Sequence, residues 1–493
     1  MNGLQAAVQA AEDAAVAVRT YVPGYPITDL AQALACQISV NEKVALEIAL
    51  GASATGLRSL VVVKQVGMNI LADPLVISAT HGIGSGLVVL VGDDLGPRGS
   101  QAEMDSRFYG PLSELPLLDP RSPGLLHAAL LEAYTLSEWL RIPVIVRVTS
   151  RLLAAGEQDF QSRPLPVTGQ RFEMGNWELT AKGRHQRHHD RIMAFAKETS
   201  ESSPLNQVEI IGSIGIIASG FPASLAQGLG VSLLAPGYSY PLPDRLLRRF
   251  IDGHRLILVA EEPEPFLESM LSANPKIRGK LTGHLPRGEL ERWDIIRALE
   301  KLDGRPDKMP QTYQSAAERG YQGVCPDCPF RAVFSALAKV DVPVSGDAGC
   351  SIRATRPPFS SADVVYGLGS SAGVASGFAG KGIALMGDFA LAHSGLAGLI
   401  NAVWQRRDLL AVVLKNDVAA MTGFQEAPDL SAVLKALLPT RFLDLPASEE
   451  EVEAAIREEL ARRGPSVLVA CGRCTKRVDG RQKYRNCSPL RIQ

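Results

Sequence analysis

Hydrophobic residues form short uninterrupted runs along the chain, and most of these runs are separated by segments with helical spacing of apolar and polar positions. The clearest runs are residues 59–63, 86–91, 143–148, 214–218, 256–260, 382–386, 409–414 and 466–470. An uninterrupted run is typical of a strand that is buried on both faces of a parallel sheet. A helical pattern at residues 42–54 precedes the first of these runs. The alternation predicts an α/β protein in which helices cover parallel sheets.

Polar segments divide this pattern into three predicted domains, each with a doubly wound or parallel sheet. A chain of 493 residues suits about three domains of roughly 100–200 residues each. The predicted ranges are a first domain at 1–165, a His- and Arg-rich linker with one helix at 166–205, a second domain at 206–300, a second linker at 301–322, a third domain at 323–475 and a basic tail at 476–493.

Composition narrows the classes of function. The net charge is −1, so nothing draws the whole chain to nucleic acid or to an anionic membrane. The longest apolar runs fall far short of the roughly 20 residues that cross a bilayer, and the first 21 residues lack the pattern of a secretory signal. These features predict a cytoplasmic protein. Six of the seven cysteines follow residue 320, and in that compartment disulfides are not expected.

The first candidate site lies where two predicted neighbouring strands end. Asp388 follows the run 382–386, and Asn416 follows the run 409–414, with a helical pattern between them. Ligands of parallel sheets bind at the carboxyl edge, so both oxygens are expected there. Mg²⁺ prefers oxygen ligands and keeps positions for substrate phosphate. The spacing therefore indicates Mg²⁺ held against a diphosphate, and the alternative is an ordinary βαβ unit with a polar turn.

Flanking sequences carry a resemblance to a known family. Residues 387–403 read GDFALAHSGLAGLINAV, residues 420–423 read AMTG, and residues 64–69 read KQVGMN. Together they resemble the large subunit of indolepyruvate:ferredoxin oxidoreductase, a family that uses thiamine diphosphate. The resemblance implies that Asp388, Asn416 and the Val418 carbonyl hold Mg²⁺. It also implies that Gly387, Met421 and Gly423 contact the cofactor, together with the three Mg²⁺ ligands.

The same resemblance names the three predicted domains as pyrimidine-binding, transketolase-C-terminal-like and diphosphate-binding. It points to Glu42, in the string NEKVALE, as the carboxylate that activates the cofactor's aminopyrimidine. From the residues alone, Glu47 is also a candidate, and a glutamate at a helix start can serve only the helix dipole. His393 matches a histidine of the family. It is predicted to donate a proton or polarise a 2-oxoacid carbonyl, with simple packing as the alternative.

The cysteines offer a second candidate site. Residues 325–331 read CPDCPFR and residues 346–350 read GDAGC, and both strings resemble the family. Four thiolates from Cys325, Cys328, Cys350 and Cys474 are predicted to hold one [4Fe–4S] cluster. A structural Zn²⁺ site and a loop without metal remain alternatives. Cys471 competes with Cys474 as the fourth ligand, whereas Cys36 and Cys487 are predicted to have no ligand role.

Three histidines have spacing that suggests a metal, but a solvated helix face is the preferred interpretation. They are His185, His188 and His189, and they lie in the Lys- and Arg-rich linker with no cysteine or carboxylate assigned to them.

The resemblance implies oxidative decarboxylation of a 2-oxoacid, of aryl-pyruvate type, to an acyl-CoA, with electrons passing through the iron–sulfur cluster to an acceptor such as ferredoxin. It implies coenzyme A as co-substrate, a second, β-type subunit as partner and a dimer of this chain within the heteromer. Two alternatives stay open: a non-redox thiamine-diphosphate decarboxylase or carboligase, and a non-catalytic scaffold subunit.

Departures from the family pattern also carry expectations. Fuller members have a two-cluster ferredoxin segment that does not follow residue 475 here. Phe389 stands where a small hydroxyl residue is usual, and Gln65 replaces a usual histidine. A reshaped pocket is therefore expected, which puts the aryl-pyruvate preference in question.

Overall fold

Residues 1–156, 161–304, 323–478 and 481–482 are described by the computed structural model. They form an α/β protein whose sheets consist mainly of parallel strand pairs, which confirms the predicted fold class. The chain groups into two compact units, Met1–Gln311 and Thr312–Gln493. The division into three domains stays a prediction. Most of the predicted second linker and of the basic tail, with Cys487, lies outside the described residues.

The first unit contains two sheets. A seven-stranded sheet has the order β10-β5-β6-β4-β3-β1-β2, and only its edge strand β10 runs antiparallel. A five-stranded sheet has the order β12-β11-β8-β9-β7, with β7 antiparallel. The strands are β1 Val18–Tyr21, β2 Gln37–Ile38, β3 Ser59–Lys64, β4 Leu87–Asp93, β5 Leu117–Leu118, β6 Val144–Thr149, β7 Gln207–Glu209, β8 Ile214–Ala218, β9 Ser232–Ala235, β10 Tyr238–Tyr240, β11 Leu256–Ala260 and β12 Ile277–Arg278.

Helices surround both sheets of this unit. They are α1 Gly3–Asp13, α2 Thr28–Ala33, α3 Glu42–Ala54, α4 Met68–His81, α5 Tyr109–Ser113, α6 Pro123–Leu140, α7 Ser150–Ala154, α8 Ala181–Arg187, α9 Ala194–Ser202, α10 Phe221–Ala226, α11 Asp244–Asp252, α12 Phe266–Leu271 and α13 Arg292–Glu300. Short 3₁₀ turns lie at Gln65–Gly67, Ser106–Phe108 and Met174–Glu178, and a π-helical segment, His188–Met193, joins α8 to α9.

The second unit is built on a six-stranded sheet with the order β14-β13-β15-β16-β20-β19, and all of its pairs are parallel. The strands of this sheet are β13 Val344–Gly346, β14 Val364–Val365, β15 Gly382–Gly387, β16 Leu409–Lys415, β19 Thr440–Asp444 and β20 Ser466–Cys471. Two separate pairs are formed by β17 Val418–Ala419 with β18 Gln425–Glu426 and by β21 Arg477–Val478 with β22 Arg481–Gln482. The helices are α14 Arg331–Leu337, α15 Cys350–Arg353, α16 Ser371–Ala375, α17 Asp388–Ala390, the π-helical Leu391–Gly395, α18 Leu396–Trp404, α19 Ser431–Leu437 and α20 Glu449–Ala461.

The central strands β15 and β16 are apolar from residue 382 to 386 and from 409 to 414 because both of their faces are covered. Successive side chains point to opposite faces of a sheet. Ile383 and Leu385 accordingly belong to one buried cluster, and Ala384 and Met386 belong to another on the opposite face. Full burial of one aliphatic side chain contributes about 1.5–3 kcal/mol. These two clusters therefore fix the sheet whose carboxyl edge carries the candidate site.

Local signals set the helix boundaries. Helix α3 begins after Asn41, whose side chain accepts a hydrogen bond from the Val44 amide at 2.9 Å. Helix α20 begins with a reciprocal capping box between Ser448 and Glu451. None of the described helices combines the length and the apolar character that crossing a bilayer requires.

Candidate functional site

Asp388 begins α17, directly after strand β15, and its carboxylate is held by backbone amides. One oxygen accepts from the Phe389 amide at 2.9 Å, and the other accepts from the Asn416 and Asp417 amides at 2.9 and 2.6 Å. Strands β15 and β16 pair from Gly382↔Leu409 to Gly387↔Leu414, so both strands end at the same edge. The structure thus brings Asp388 and Asn416 together, 28 residues apart in sequence.

The chain after β16 forms a compact loop next to Asp388. The side-chain oxygen of Asn416 accepts a hydrogen bond from the Val418 amide at 3.0 Å. Met421 and Gly423 lie in the turn between the paired strands β17 and β18. Gly423 has φ +119°, a conformation that favours glycine. The Asp388 carboxylate, the Asn416 amide oxygen and the Val418 carbonyl therefore come from two adjacent strand ends at one edge of the sheet.

These donors fit a hard cation. Asp388, Asn416 and the Val418 carbonyl offer only oxygen, which is the ligand type that Mg²⁺ prefers. A Cβ built on Gly387 would meet no atom within 4 Å, so there is open space beside the main chain at this position. Such space lets a ligand approach the backbone closely. The three residues could hold Mg²⁺ and, through it, a diphosphate.

Within the described residues no side-chain cation hydrogen-bonds the Asp388 carboxylate. Lys415 attracts it only through space, because the Lys415 ammonium pairs with Asp417 and, at 3.8 Å, with Asp429. Burial raises the pKa of Asp388 to about 6, and the three backbone amides only partly offset this penalty on the charged form. A bound cation would remove the penalty.

Asp347 is a buried carboxylate that the sequence reasoning did not single out. It follows β13, the strand beside β15, and its oxygens accept hydrogen bonds from the Ser371 amide at 2.8 Å and hydroxyl at 3.1 Å. Burial raises its pKa to about 6. It fixes the start of α16. The available signal was the Gly-Asp pair after a strand, which is the same signal that marks Asp388.

His393 lies in the π-helical turn between α17 and α18. It is buried, and its Nδ1 lies 2.7 Å from the Ser394 hydroxyl. A π turn in a helix often accompanies a functional site. The catalytic role of His393 stays a prediction.

Glu42 lies in the first unit and is the first residue of α3. Its side chain is buried against Gly67, and a Cβ added to Gly67 would come within 2.5 Å of the Glu42 carboxylate. Glu47 has 48% of its side chain exposed and pairs with Lys43 at 3.4 Å. Burial thus favours Glu42 over Glu47 as the carboxylate with a special role.

Four cysteines gather in the second unit. Burial raises the pKa of the Cys350 thiol to about 12, and repulsion from Cys328, Cys474 and Cys325 adds to it. Burial also raises the pKa of Cys328 to about 11, with Cys325 and Cys474 again among its charged neighbours. The charged neighbours of Cys471 are instead Asp444, Lys415, Asp417 and Asp429. The geometry therefore groups Cys474, and not Cys471, with the other three.

The spacing of these thiols bears on the kind of metal. In a tetrahedral Zn²⁺ site the sulfurs lie about 3.8 Å apart, as Zn–S bonds of about 2.3 Å require. Across the described chain, no three of the four sulfurs lie within 4.8 Å of one another. The described sulfurs are thus not grouped as closely as a single Zn²⁺ ion requires.

Other carboxylates at strand ends are neutralised by arginines of the same unit. Arg107 donates to Asp105 at 2.9 Å and to Glu261 at 2.7 Å, and Arg147 donates to Asp93 at 2.7 Å. Glu262 pairs with Arg151. Asp93 and Glu261 therefore belong to a buried ion network within the first unit.

The histidines of the predicted linker divide between surface and interior. His185 and His189 are exposed, but His188 is fully buried, and its Nε2 lies 3.0 Å from the Glu114 carbonyl oxygen. The prediction of a solvated face is therefore wrong for His188, because this first residue of the π-helical segment packs its ring against Glu114, next to the end of α5.

Comparison with known proteins assigns the class first. Residues 347–470 match the family described as thiamine pyrophosphate enzyme, C-terminal TPP binding domain. The matched range contains Asp388, Asn416 and Val418. The second unit therefore contains a thiamine-diphosphate-binding domain, as the sequence predicted.

Curated relatives narrow the class to a family. The chain is 32% identical over 483 residues to the indolepyruvate oxidoreductase subunit IorA of Methanothermobacter thermautotrophicus, covering 87% of this chain and 76% of the relative. It is 31% identical over 477 residues to the protein of the same name from Archaeoglobus fulgidus, covering 86% and 76%. The chain belongs to the family of indolepyruvate oxidoreductase subunit IorA, and so to a family of oxidoreductase subunits.

Among solved structures, the chain is similar to a 2-oxoglutarate:ferredoxin oxidoreductase from Magnetococcus marinus. The TM-score is 0.48 at 15% identity, and the match covers 61% of this chain and 64% of that chain. This likeness is too weak to bear on function.

Proposed function

We propose that the chain is the thiamine-diphosphate-binding subunit of an enzyme that oxidatively decarboxylates a 2-oxoacid of indolepyruvate type. The products are CO₂ and an acyl-CoA, and two electrons leave through one [4Fe–4S] cluster to an acceptor such as ferredoxin. Family membership supports the 2-oxoacid class. The cluster, coenzyme A and the acceptor are parts of the proposal.

One observation favours the redox reaction over the non-redox alternative. Cys350 and Cys474 pack against Val418, Ala420 and Phe424, which form the loop that follows Asn416. The loop proposed to hold Mg²⁺ and the diphosphate thus contacts two of the proposed cluster ligands. A decarboxylase or carboligase without electron transfer has no need for four thiols at that place.

The proposed cofactor residues have separate tasks. Thiamine diphosphate, when bound, supplies the carbanion and the electron sink for the 2-oxo carbon. Asp388, Asn416 and the Val418 carbonyl would hold Mg²⁺, and Gly387, Met421 and Gly423 would line the diphosphate. Glu42 would hold a proton at the aminopyrimidine N1′, a role that suits a buried carboxylate at a helix start. His393 would orient or protonate the substrate.

The four thiols suit the proposed cluster. An iron–sulfur cube is larger than one ion, so its cysteine ligands stand farther apart than those of zinc. Among the described cysteines no three sulfurs lie within 4.8 Å of one another, which suits a cluster better than a single Zn²⁺ ion. Cluster assembly would replace the thiol protons that burial now retains.

Partners belong to the proposal as well. The relatives are named as one subunit of an oxidoreductase, which supports a second, β-type subunit as partner in a heteromer. A dimer of this chain within that heteromer and a cytoplasmic location remain predictions.

The test is iron and acid-labile sulfide per chain after purification without oxygen. We expect about four of each in the wild-type protein and in C471S, and a large loss in C350S and C474S. C471S is the matched control because it removes a neighbouring thiol outside the group of four.

The alternatives have their own outcomes. Almost no iron, with thiamine diphosphate retained, would overturn the electron-transfer route in favour of the non-redox decarboxylase or carboligase. Unchanged turnover of the assembled enzyme in E42Q would favour the scaffold alternative.

A further inference from the structure

Outside the proposed cofactor site, a carboxylate and two imidazoles converge on the surface of the first unit. One ligand atom each from Glu114, His185 and His189 lies within 4.8 Å of the other two. The His189 Nε2 is 3.1 Å from a Glu114 carboxylate oxygen. The rings of His185 and His189 pack edge to face, with 4.5 Å between their centroids. Within the described residues, no other group of three such side chains reaches this spacing.

We propose that Glu114, His185 and His189 bind a divalent transition-metal ion of the Zn²⁺ type. Two imidazole nitrogens and one carboxylate oxygen form a donor set that suits Zn²⁺, with the fourth position left for water. Histidines four residues apart lie on one face of a helix, so one ion can reach both. The ion would clamp the helical segment 181–202 to the end of α5.

Neighbouring groups hold the three ligands in place. His188 is fully buried between the two ligand histidines in sequence, and its Nε2 lies 3.0 Å from the Glu114 carbonyl oxygen. This contact joins the helix to the residue that carries the carboxylate ligand. The same nitrogen lies 3.7 Å from a Glu114 carboxylate oxygen. Because His188 is buried and already contacts the Glu114 carbonyl, we assign it a positioning role.

The backbone of Glu114 adds an independent observation. Glu114 ends α5 with φ +54°, in the left-handed region where glycine is favoured. A non-glycine residue there carries a conformational cost. The chain keeps a glutamate at this position, and its side chain reaches the two histidines.

Two arginines of the same helix are engaged elsewhere. Arg184 lies over the Trp177 ring at 5.0 Å and donates to the Leu179 carbonyl at 2.7 Å. Arg187 donates to the Asn176 side chain. Neither guanidinium occupies the place between Glu114 and the histidines, so repulsion of an incoming cation is limited.

The test is Co²⁺ and Zn²⁺ binding to the full chain after removal of divalent ions, measured by competition with a chromophoric chelator. We expect one ion per chain at this site, and at least a tenfold loss of affinity in each of H185A, H189A and E114Q. Co²⁺ held by thiolates absorbs strongly in the near ultraviolet, whereas this donor set does not. The spectrum thus separates the proposed site from the cysteines.

H81A is the matched control, because it also removes one partly exposed histidine of the same unit. Its affinity for Co²⁺ should equal that of the wild-type protein. E114G adds a second measurement: it should lose the ion, while the metal-free Tm stays at or above that of the wild type because glycine accepts the left-handed backbone. Equal binding by wild type, H185A and H189A, or an equal loss in H81A, would overturn the proposal.

Discussion

The two units treat acidic residues at the ends of parallel strands in opposite ways. In the first unit Asp93 ends β4 and Glu261 follows β11, and buried arginines donate to both of them. In the second unit Asp388 has the same position after β15, but its described partners are three backbone amides. Sequence pattern makes the two places look alike, and the source of the positive charge distinguishes them.

The difference separates structural carboxylates from a candidate ligand. A buried charge is stable only if it is paired or hydrogen-bonded. Arg107 and Arg147 provide that charge from within the chain through direct hydrogen bonds. Asp388 is hydrogen-bonded by backbone amides and attracted by Lys415 only through space, so it retains the capacity to bind an ion. A carboxylate at a strand end is thus a better candidate for a site when its own unit supplies no hydrogen-bonded cation.

Replacing Arg107 by Met should have the largest effect on stability. The change leaves Asp105 and Glu261 buried without their cation, and breaking a buried pair costs about 3–5 kcal/mol. Pulse proteolysis in urea, scored on fragments from residues 1–311, measures this loss. The control is R98A, which removes an arginine with 53% of its side chain exposed and a 3.2 Å contact to Glu289. That surface change should cost about 0–1 kcal/mol.

D388N should have a smaller effect on folding and a large effect on ligand binding. The variant keeps one acceptor but opposes an amide NH₂ to a backbone donor, at a cost of about 1–3 kcal/mol. Loss of the negative charge should weaken Mg²⁺-dependent retention of thiamine diphosphate at least about 100-fold, measured by equilibrium dialysis with and without Mg²⁺. If D388N unfolds as readily as R107M, Asp388 is structural like Asp93 and the contrast between the units fails.

Asp13 should make the first unit sensitive to acid. Its buried carboxylate accepts hydrogen bonds from the Ser162 hydroxyl at 2.6 Å and the Arg163 amide at 2.7 Å, and His127 lies 2.8 Å away. Burial alone would raise the pKa of Asp13, but these bonds outweigh it and lower the pKa to about 2. The resulting stability, about 2 kcal/mol at 1.36 kcal/mol per pKa unit, is present above pH 4 and is lost as the pH falls toward 2.

The stability difference between wild type and D13N should therefore shrink over that range. Pulse proteolysis at several pH values measures it. Asp347 of the second unit should show the opposite sign, because burial raises its pKa to about 6. The folded state then retains a proton that the unfolded state has lost. The stability that protonated Asp347 contributes therefore falls as the pH rises from about 4 to about 6. A difference between wild type and D13N that does not change with pH would contradict the Asp13 prediction.

G67A should have the smallest effect on stability. The new Cβ would displace the Glu42 carboxylate, which is the movable end of a side chain, so the fold should lose less than about 1 kcal/mol. Turnover of the assembled enzyme should nevertheless fall at least about tenfold. G51A is the control, because a Cβ there meets no atom within 4 Å and alanine is the better helix former. Equal turnover in both variants would remove Glu42 from the proposed mechanism.

Much of the fold could be predicted from the sequence. Strands β3, β4, β15, β16 and β20 lie within one or two residues of the predicted runs, and α3 has the predicted bounds. These elements follow from local periodicity and from Asn41 as the N-cap. Strand β10 could not be predicted as part of the seven-stranded sheet, because its pairing with β5 joins residues about 120 positions apart.

The candidate site was predictable to the same extent. Asp388 and Asn416 meet because adjacent parallel strands end together, and a spacing of 28 residues suffices to infer it. The sequence predicted Cys474 as the fourth thiol, but spacing alone could not exclude Cys471, which lies only three residues away. Strand β20 ends at Cys471, and only the course of the chain beyond it brings Cys474 to Cys325 and Cys350.

The sequence by itself determined the α/β class, the strands, the oxygen donors after β15 and β16, and the family. Only the tertiary structure decided which charges are neutralised. Arg107 lies 154 residues before Glu261, and Glu114 lies 75 residues before His189. The spacing of apolar residues indicates which face of a helix or strand is buried, because this spacing involves only residues close together in the chain. The partner of a buried or clustered charge depends on how distant segments pack, and no local pattern encodes it.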